Sequence, residues 1–353
     1  QPDRQRLLQT GLQGTPDGVR GGSEEALERQ FGRKRGMNRA ATIIMPAEMP
    51  LMDARKSHAW LPIADLPSDW QTLIDPTLVE LAHKWMAESQ SIRDHALLRE
   101  FVARLCRQYA IETGAIEEIY HISRNATKVL IDQGINAALL THGDTEEPAD
   151  LVVARIEDQH RAISGVYQFV ASQRRLTKSF LLELHQVLTD NQRTFMGRDS
   201  LGQWVERDLP RGQWKPWPNN VGGPGGFSYE FCPPVQVDSE IEQLLAWYEA
   251  HAAANVSPIV EAAWLHHRFV QIHPFTDGNG RTARCLASMV LIKAGWFPLV
   301  VTRDDKPSYY LALQAADDGD LRPLIKLFTL LQSIAMRQAL RVAAEIQGNP
   351  ADL

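Results

Sequence analysis

The chain has 353 residues, with 37 Lys and Arg against 43 Asp and Glu and a formal net charge of −6. That balance excludes a general nucleic-acid binder, whose affinity rests on an excess of positive charge against phosphate. A content of 44% hydrophobic and 23% charged residues excludes wholesale disorder, and the length suits one large domain or two of roughly 150 residues.

The longest apolar stretches, such as Leu286 to Ile292, fall well short of the ~20 residues that cross a bilayer, so no membrane partner is expected. Cys106, Cys232 and Cys285 are too few and too scattered for a disulfide framework or a zinc site, which points to a reducing, cytoplasmic compartment. No starting Met and no basic-then-apolar signal open the chain, so Gln1 to about Ala41 reads as a truncated or leader segment, with Met37 as a possible true start.

Residues 1–55 mix Gly, Gln and Arg with scattered apolar positions and read as a disordered arm, its Arg33-Lys34-Arg35 cluster simply solvated. From Pro76 the apolar residues recur at spacings of three and four: Leu78, Leu81, Ala82, Trp85, then Leu97, Leu98, Phe101, Leu105 and Tyr109. That period predicts helix. Further helices are expected at 123–135, 151–173, 177–188, 237–252, 258–272, 281–294 and 308–346, the last restarting at Pro323. The protein is therefore expected to be mainly α.

The exception is 195–235, dense in Gly, Pro and Trp, which reads as a long ordered loop with a functional purpose. Within it Phe227 to Phe231 alternates like a strand, predicting a hairpin with one accessible edge.

Between two of these helices lies His273-Pro274-Phe275-Thr276-Asp277-Gly278-Asn279-Gly280-Arg281-Thr282-Ala283-Arg284. Pro274 halts one helix, and Gly278-Asn279-Gly280 permits close backbone approach just before the next. A helix N-terminus fed by such a turn is an anion site, because its unsatisfied N–H groups and the helix dipole both favour negative charge. Arg281 and Arg284 add guanidinium forks that match phosphate oxygens, so a polyphosphate is the expected guest. Asp277 becomes useful there if Mg²⁺ bridges carboxylate and phosphates. His273, at the opposite lip, is the candidate general base. Each feature alone is more often a turn, a packed His or a surface ion pair. Together in twelve residues they point to function.

This segment resembles the signature of the Fic family, His-Pro-Phe-x-(Asp or Glu)-Gly-Asn-Gly-Arg-x-x-Arg, at every specified position. The resemblance extends over roughly 93–331. It implies a Fic-type helical bundle core with a β-hairpin flap beside the active site, ATP and Mg²⁺ as cofactors, and transfer of AMP to a Ser, Thr or Tyr hydroxyl of a target protein. Carried over, His273 is the base, Asp277 the metal ligand, Gly278, Asn279 and Gly280 the anion nest, and Arg281 and Arg284 the holders of the phosphate tail. Tyr309, beside Tyr310, falls where the family places an aromatic near the nucleotide. The flap, about 225–231, would hold the target by strand addition. Thr113-Gly114-Ala115-Ile116-Glu117-Glu118 resembles the family's inhibitory motif, (Ser or Thr)-x-x-x-Glu-(Gly or Asn), so Glu117 would pair with Arg284 and divert it from the γ-phosphate. The departure is Glu118 at the Gly or Asn position.

The resemblance divides the chain into the arm 1–55, a helical region 56–150 with the inhibitory helix, and a Fic domain with its C-terminal helix over 151–353. Removal of AMP, transfer of another phospho group, or a nucleotide-binding regulatory role remain as alternatives. His266 and His267 point about 100° apart on a helix, which argues against zinc. Cys285 reads as a small core residue, and the amphipathic 321–346 segment as a possible homodimer face.

Overall fold

Local signals in the sequence set the element boundaries. A computed structural model describes residues 58–198, 203–222 and 228–348. The expected arm at 1–55, and Gly225, Gly226 and Phe227 of the flap, lie outside the described residues. Among the described residues there are ten α-helices and two short two-stranded sheets.

Helix α1 (Pro76–Ile92) opens with Pro in its first turn, and the Asp75 side chain accepts from the Thr77 N–H, which satisfies one orphan donor. Helix α2 (Ala96–Ile116) follows after a break at Arg93 to His95, where the sequence periodicity ran on without interruption. Ser123 caps α3 (Arg124–Gln133), and Thr177 caps α5 (Lys178–Leu188), on either side of α4 (Ala149–Ala171). Two hairpins come next. Strands β1 (Thr194–Arg198) and β2 (Trp204–Asp208) pair antiparallel in the stretch expected to be loop. Strands β3 (Val221–Gly222) and β4 (Ser228–Tyr229) form the second, expected hairpin.

Helices α6 (Val237–Ala253), α7 (Pro258–Ile272), α8 (Asn279–Lys293), α9 (Lys306–Asp317) and α10 (Arg322–Ile346) complete the bundle. Helix α8 starts two residues before its expected start at 281, so Asn279 and Gly280 belong to its first turn.

Helices α7 and α8 are buried on nearly every face, which marks them as the central pair. Helices α2, α4, α5, α6 and α10 pack around them. Trp264, Phe269 and Phe275 are fully buried, and each contributes roughly 2–3 kcal/mol by leaving water. This core fixes the two helix ends that face each other across the 273–278 turn.

The C-terminus of α2 is a tight left-handed stop. Glu118 has φ 54°, its N–H donates to Ala115 O, and the Ile119 N–H reaches back to Gly114 O. Gly or Asn usually holds that position because a Cβ is penalised there. Glu118 accepts the strain, roughly 1–2 kcal/mol, and its carboxylate pairs with Lys306 at 2.8 Å. The departure from the motif therefore leaves the turn intact. A Cβ on Gly114 would lie 2.3 Å from the Tyr120 hydroxyl, which itself donates to Ile111 O. Gly114→Ala is thus expected to cost about 1–3 kcal/mol, read as a fall in the urea midpoint.

Candidate active site

His273 terminates α7 with φ 51° and ψ 58°, a left-handed conformation that His tolerates better than most residues. Its Nδ1 lies 3.2 Å from Val270 O. A carbonyl only accepts, so Nδ1 carries the hydrogen and Nε2 keeps a basic lone pair. The ring stacks on Phe231 at 3.7 Å. Burial, and then the nearby Lys215, push its pKa down to about 3, so the imidazole is neutral at physiological pH.

Across the turn, Gly278 (φ 80°) caps α8. The Asn279 side chain accepts from the Phe275 N–H at 2.8 Å and donates to Phe275 O at 2.7 Å, locking the turn so that the first N–H groups of α8 face outward. Asp277 Oδ1 accepts from the Gly278 N–H at 2.7 Å, and Oδ2 from Gln192 Nε2 at 2.6 Å.

Arg284, 1% exposed, is claimed entirely from one side. Its Nε donates to Thr113 Oγ1 at 2.6 Å, one Nη to Thr113 O at 3.0 Å and to Glu117 Oε1 at 2.7 Å, and the other to the Tyr309 hydroxyl at 3.4 Å. Burial is the largest single influence and opposes its charge, yet Glu117, Tyr309 and Tyr109 together raise its pKa above the ordinary arginine value. Glu117 also reaches over the nest, since a Cβ on Gly280 would lie 2.2 Å from its Oε1. A side chain at 280 would displace the Glu117 carboxylate from this position. One carboxylate thus occupies both the fork and the helix N-terminus that an anion would use.

Arg281 and Tyr309 are both held within the protein. Arg281, also 1% exposed, donates to Leu188 O at 3.2 Å and to Gln192 Oε1 at 2.6 Å, and its guanidinium lies 3.7 Å from the Asp277 carboxylate. These contacts tie the end of α5 to the turn beside Asp277. Tyr309 is fully buried behind Arg284 with its hydroxyl 2.8 Å from His266 Nε2. Its hydroxyl also accepts from Arg284 at 3.4 Å, and Tyr310 is the partly exposed member of the pair.

The flap edge also differs from expectation. The His58 N–H donates to Ser228 O and the Glu230 N–H to His58 O, both at 2.9 Å, so the outer edge of β4 is already taken by the chain itself. Cys285 is buried beside the Tyr109 hydroxyl, and burial pushes its thiol up to about 11, the behaviour of a core residue. His266 and His267 diverge, to Tyr309 and to Asp317.

Sequence reasoning missed Thr113's grip on Arg284, and it missed Gln192 and His185. Gln192 joins Asp277 to Arg281 from 85 residues away, a link no local pattern could announce. His185 accepts from the Gly212 N–H and donates Nε2–H to Asp277 O, each at 2.9 Å, while stacking on Phe275 at 3.7 Å. Burial drives its pKa down to about 3. The unfolded chain takes up a proton below pH ~6.5 while folded His185 does not, so stability is full above that pH and falls as the pH drops from about 6.5 toward 3. His185 contributes up to about 1.4 kcal/mol per pH unit, alongside buried His273 in the same direction, measurable as the difference in urea midpoints at pH 7, 6 and 5 between the unmodified chain and His185→Gln.

Residues 175–291 match the family model described as the Fic/DOC family. The chain is 25% identical over 255 residues, 72% of its own length and 45% of the relative's, to protein adenylyltransferase fic-1 of Caenorhabditis elegans. It is 41% identical over 103 residues, 28% of this chain and 24% of the relative, to protein adenylyltransferase Fic of Nematostella vectensis. The chain thus spans less than half the length of these curated relatives. In fold it is similar to a Fic domain containing signaling protein from Bacteroides thetaiotaomicron, with a TM-score of 0.61 at 21% identity, covering 75% of this chain and 97% of that one. With the signature turn joining α7 to α8 and the hairpin lying beside it, residues 175–291 are similar to the Fic/DOC family.

Proposed function

We propose that this protein is a protein adenylyltransferase, moving AMP from ATP to a Ser, Thr or Tyr hydroxyl of a target protein, and that Glu117 restrains it. The observation that carries the reading is the facing pair formed by the neutral His273 and the α8 nest, across one turn. His273 Nε2 would take the proton of the acceptor hydroxyl as its oxygen attacks the α-phosphorus. The bond from that phosphorus to the bridging oxygen breaks, and pyrophosphate leaves. Backbone N–H groups at Asn279 and Gly280, with Arg284 once released, would stabilise the phosphate charge, while the Gly278 N–H is held by Asp277.

Asp277 is the residue that would hold Mg²⁺. One carboxylate, 14% exposed and 3.7 Å from the Arg281 guanidinium, would suit an ion that shares substrate phosphates and keeps its own waters, and the ion would supply charge neutralisation on those phosphates. Helical region 56–150 would then carry regulation and 151–353 catalysis. Because His58 fills the outer edge of β4, an acceptor segment would add beside β3 or displace His58. The three buried free cysteines support a reducing, cytoplasmic setting. Exposed Leu330 and Ile334 on α10 support a homodimer through that face.

The test is transfer of label to protein by the full chain carrying Glu117→Gly, with Mg²⁺ and either α- or γ-labelled ATP. Label from the α-position alone supports the reading. Label from the γ-position, or from neither, overturns it.

A further inference from the structure

The segment Trp214 to Asn219 sits against the turn that carries His273, with a lysine at its centre. Lys215 is 2% exposed. Its Nζ donates to Asn219 Oδ1 at 2.7 Å and points at Ile272 O, the last carbonyl of α7, at 3.4 Å. Its own backbone N–H donates to Pro274 O, and Asn219 Nδ2 to Phe275 O, each at 2.8 Å. Carbonyls on both sides of His273 are therefore held by residues 215 and 219. Phe231 links the two groups, stacking on His273 at 3.7 Å and lying 5.8 Å from the Lys215 Nζ.

An ammonium taken out of water is costly, and such groups normally pair with a carboxylate. Among the described residues no salt bridge to Lys215 is formed; its partners are an amide oxygen, a carbonyl and an aromatic face. A cation at the C-terminal end of α7 gains from the helix dipole and from an otherwise orphan carbonyl. We propose that Lys215 is a positioning residue for His273: its buried ammonium anchors the turn that presents the imidazole and sets the charge it works beside. This rests on His273 being the general base.

The electrostatics agree with the geometry. Lys215 is the charged neighbour that acts on His273, in the same direction as burial, while the Val270 carbonyl acts against it and Phe231 is neutral. Lys215 is itself pushed down to about 7 by burial, with the Cys232 thiol facing it. A positive charge beside His273 opposes formation of a stable imidazolium, so the base form persists until a substrate proton is transferred.

The experiment compares Lys215→Met and Lys215→Arg, each in the full chain carrying Glu117→Gly, by steady-state kinetics and by an NMR titration of the His273 ring. Lys215→Met is expected to lower kcat roughly 10- to 100-fold with the ATP KM unchanged, and to move the His273 midpoint up by about one pH unit. Lys215→Arg is expected to recover most of kcat and the original midpoint. An unchanged kcat and midpoint, or a raised KM at constant kcat, overturns the proposal. Should Lys215→Met melt, Lys215→Gln keeps a donor for Asn219 without the charge and gives the same reading. If the Glu117→Gly parent transfers no label at all, the adenylyltransferase reading fails while the NMR titration still decides the role of Lys215.

Discussion

Glu117→Gly is expected to raise AMP transfer by roughly 10- to 100-fold. The Glu117 carboxylate holds Arg284 at 2.7 Å and covers the nest above Gly280. A charge-assisted hydrogen bond of this kind contributes about 1.5–3 kcal/mol, and each 1.4 kcal/mol is about tenfold in an equilibrium. A nucleotide must overcome that contact before its phosphates reach Arg284 and the α8 N–H groups. The substitution leaves Arg284 bonded to Thr113 and Tyr309, so the fork stays placed, while its buried charge loses its carboxylate at some cost in stability. Glu118→Gly is the control: its carboxylate pairs with Lys306 outside the nest, and it should not activate. Initial rates of protein labelling from α-labelled ATP decide the matter. Equal rates for Glu117→Gly and the unmodified chain would show that the carboxylate is no brake.

His273→Ala, placed in the activated Glu117→Gly chain, is expected to reduce transfer by about 10²- to 10⁴-fold, the range for loss of a positioned general base. ATP affinity should stay within about twofold, because the ring lies on the α7 side of the turn and the nest on the α8 side. Ala tolerates the left-handed conformation at 273 poorly, so a loss could come from the backbone alone. His273→Asn removes that ambiguity, since Asn accepts positive φ without providing a base. Loss of rate in both variants, with nucleotide binding retained in both, assigns the effect to the imidazole. A His273→Asn chain that still labels protein at more than a tenth of the parent rate would place the base elsewhere.

The helices were legible because their apolar spacing is local. Pro258, Thr177 and Ser123 announced their ends through capping chemistry that acts within four residues. The break between α1 and α2 was not legible, since Arg93 to His95 contain neither Gly nor Pro and the apolar period continues across them. The β1–β2 hairpin was hidden for a similar reason: Gly and Trp obscured its alternation, and its pairing is a contact between strands.

Within the site, the 273–284 turn could be read from the chain because its geometry is made by residues adjacent in sequence: a left-handed His, a Pro, a left-handed Gly and a side-chain lock by Asn279. The pairing of Glu117 with Arg284 followed from resemblance, and the structure places the two at 2.7 Å. The sequence by itself determined the helical class and the turn from His273 into α8, which depend on short-range stereochemistry and the unsatisfied ends of helices. Only tertiary structure decided that Arg281 braces α5, that Tyr309 stands behind Arg284, that His58 closes the β4 edge, and that Gln192, His185 and Lys215 support the turn. Those roles depend on which faces of distant elements the core brings together, and packing among α7, α8 and their neighbours makes that choice.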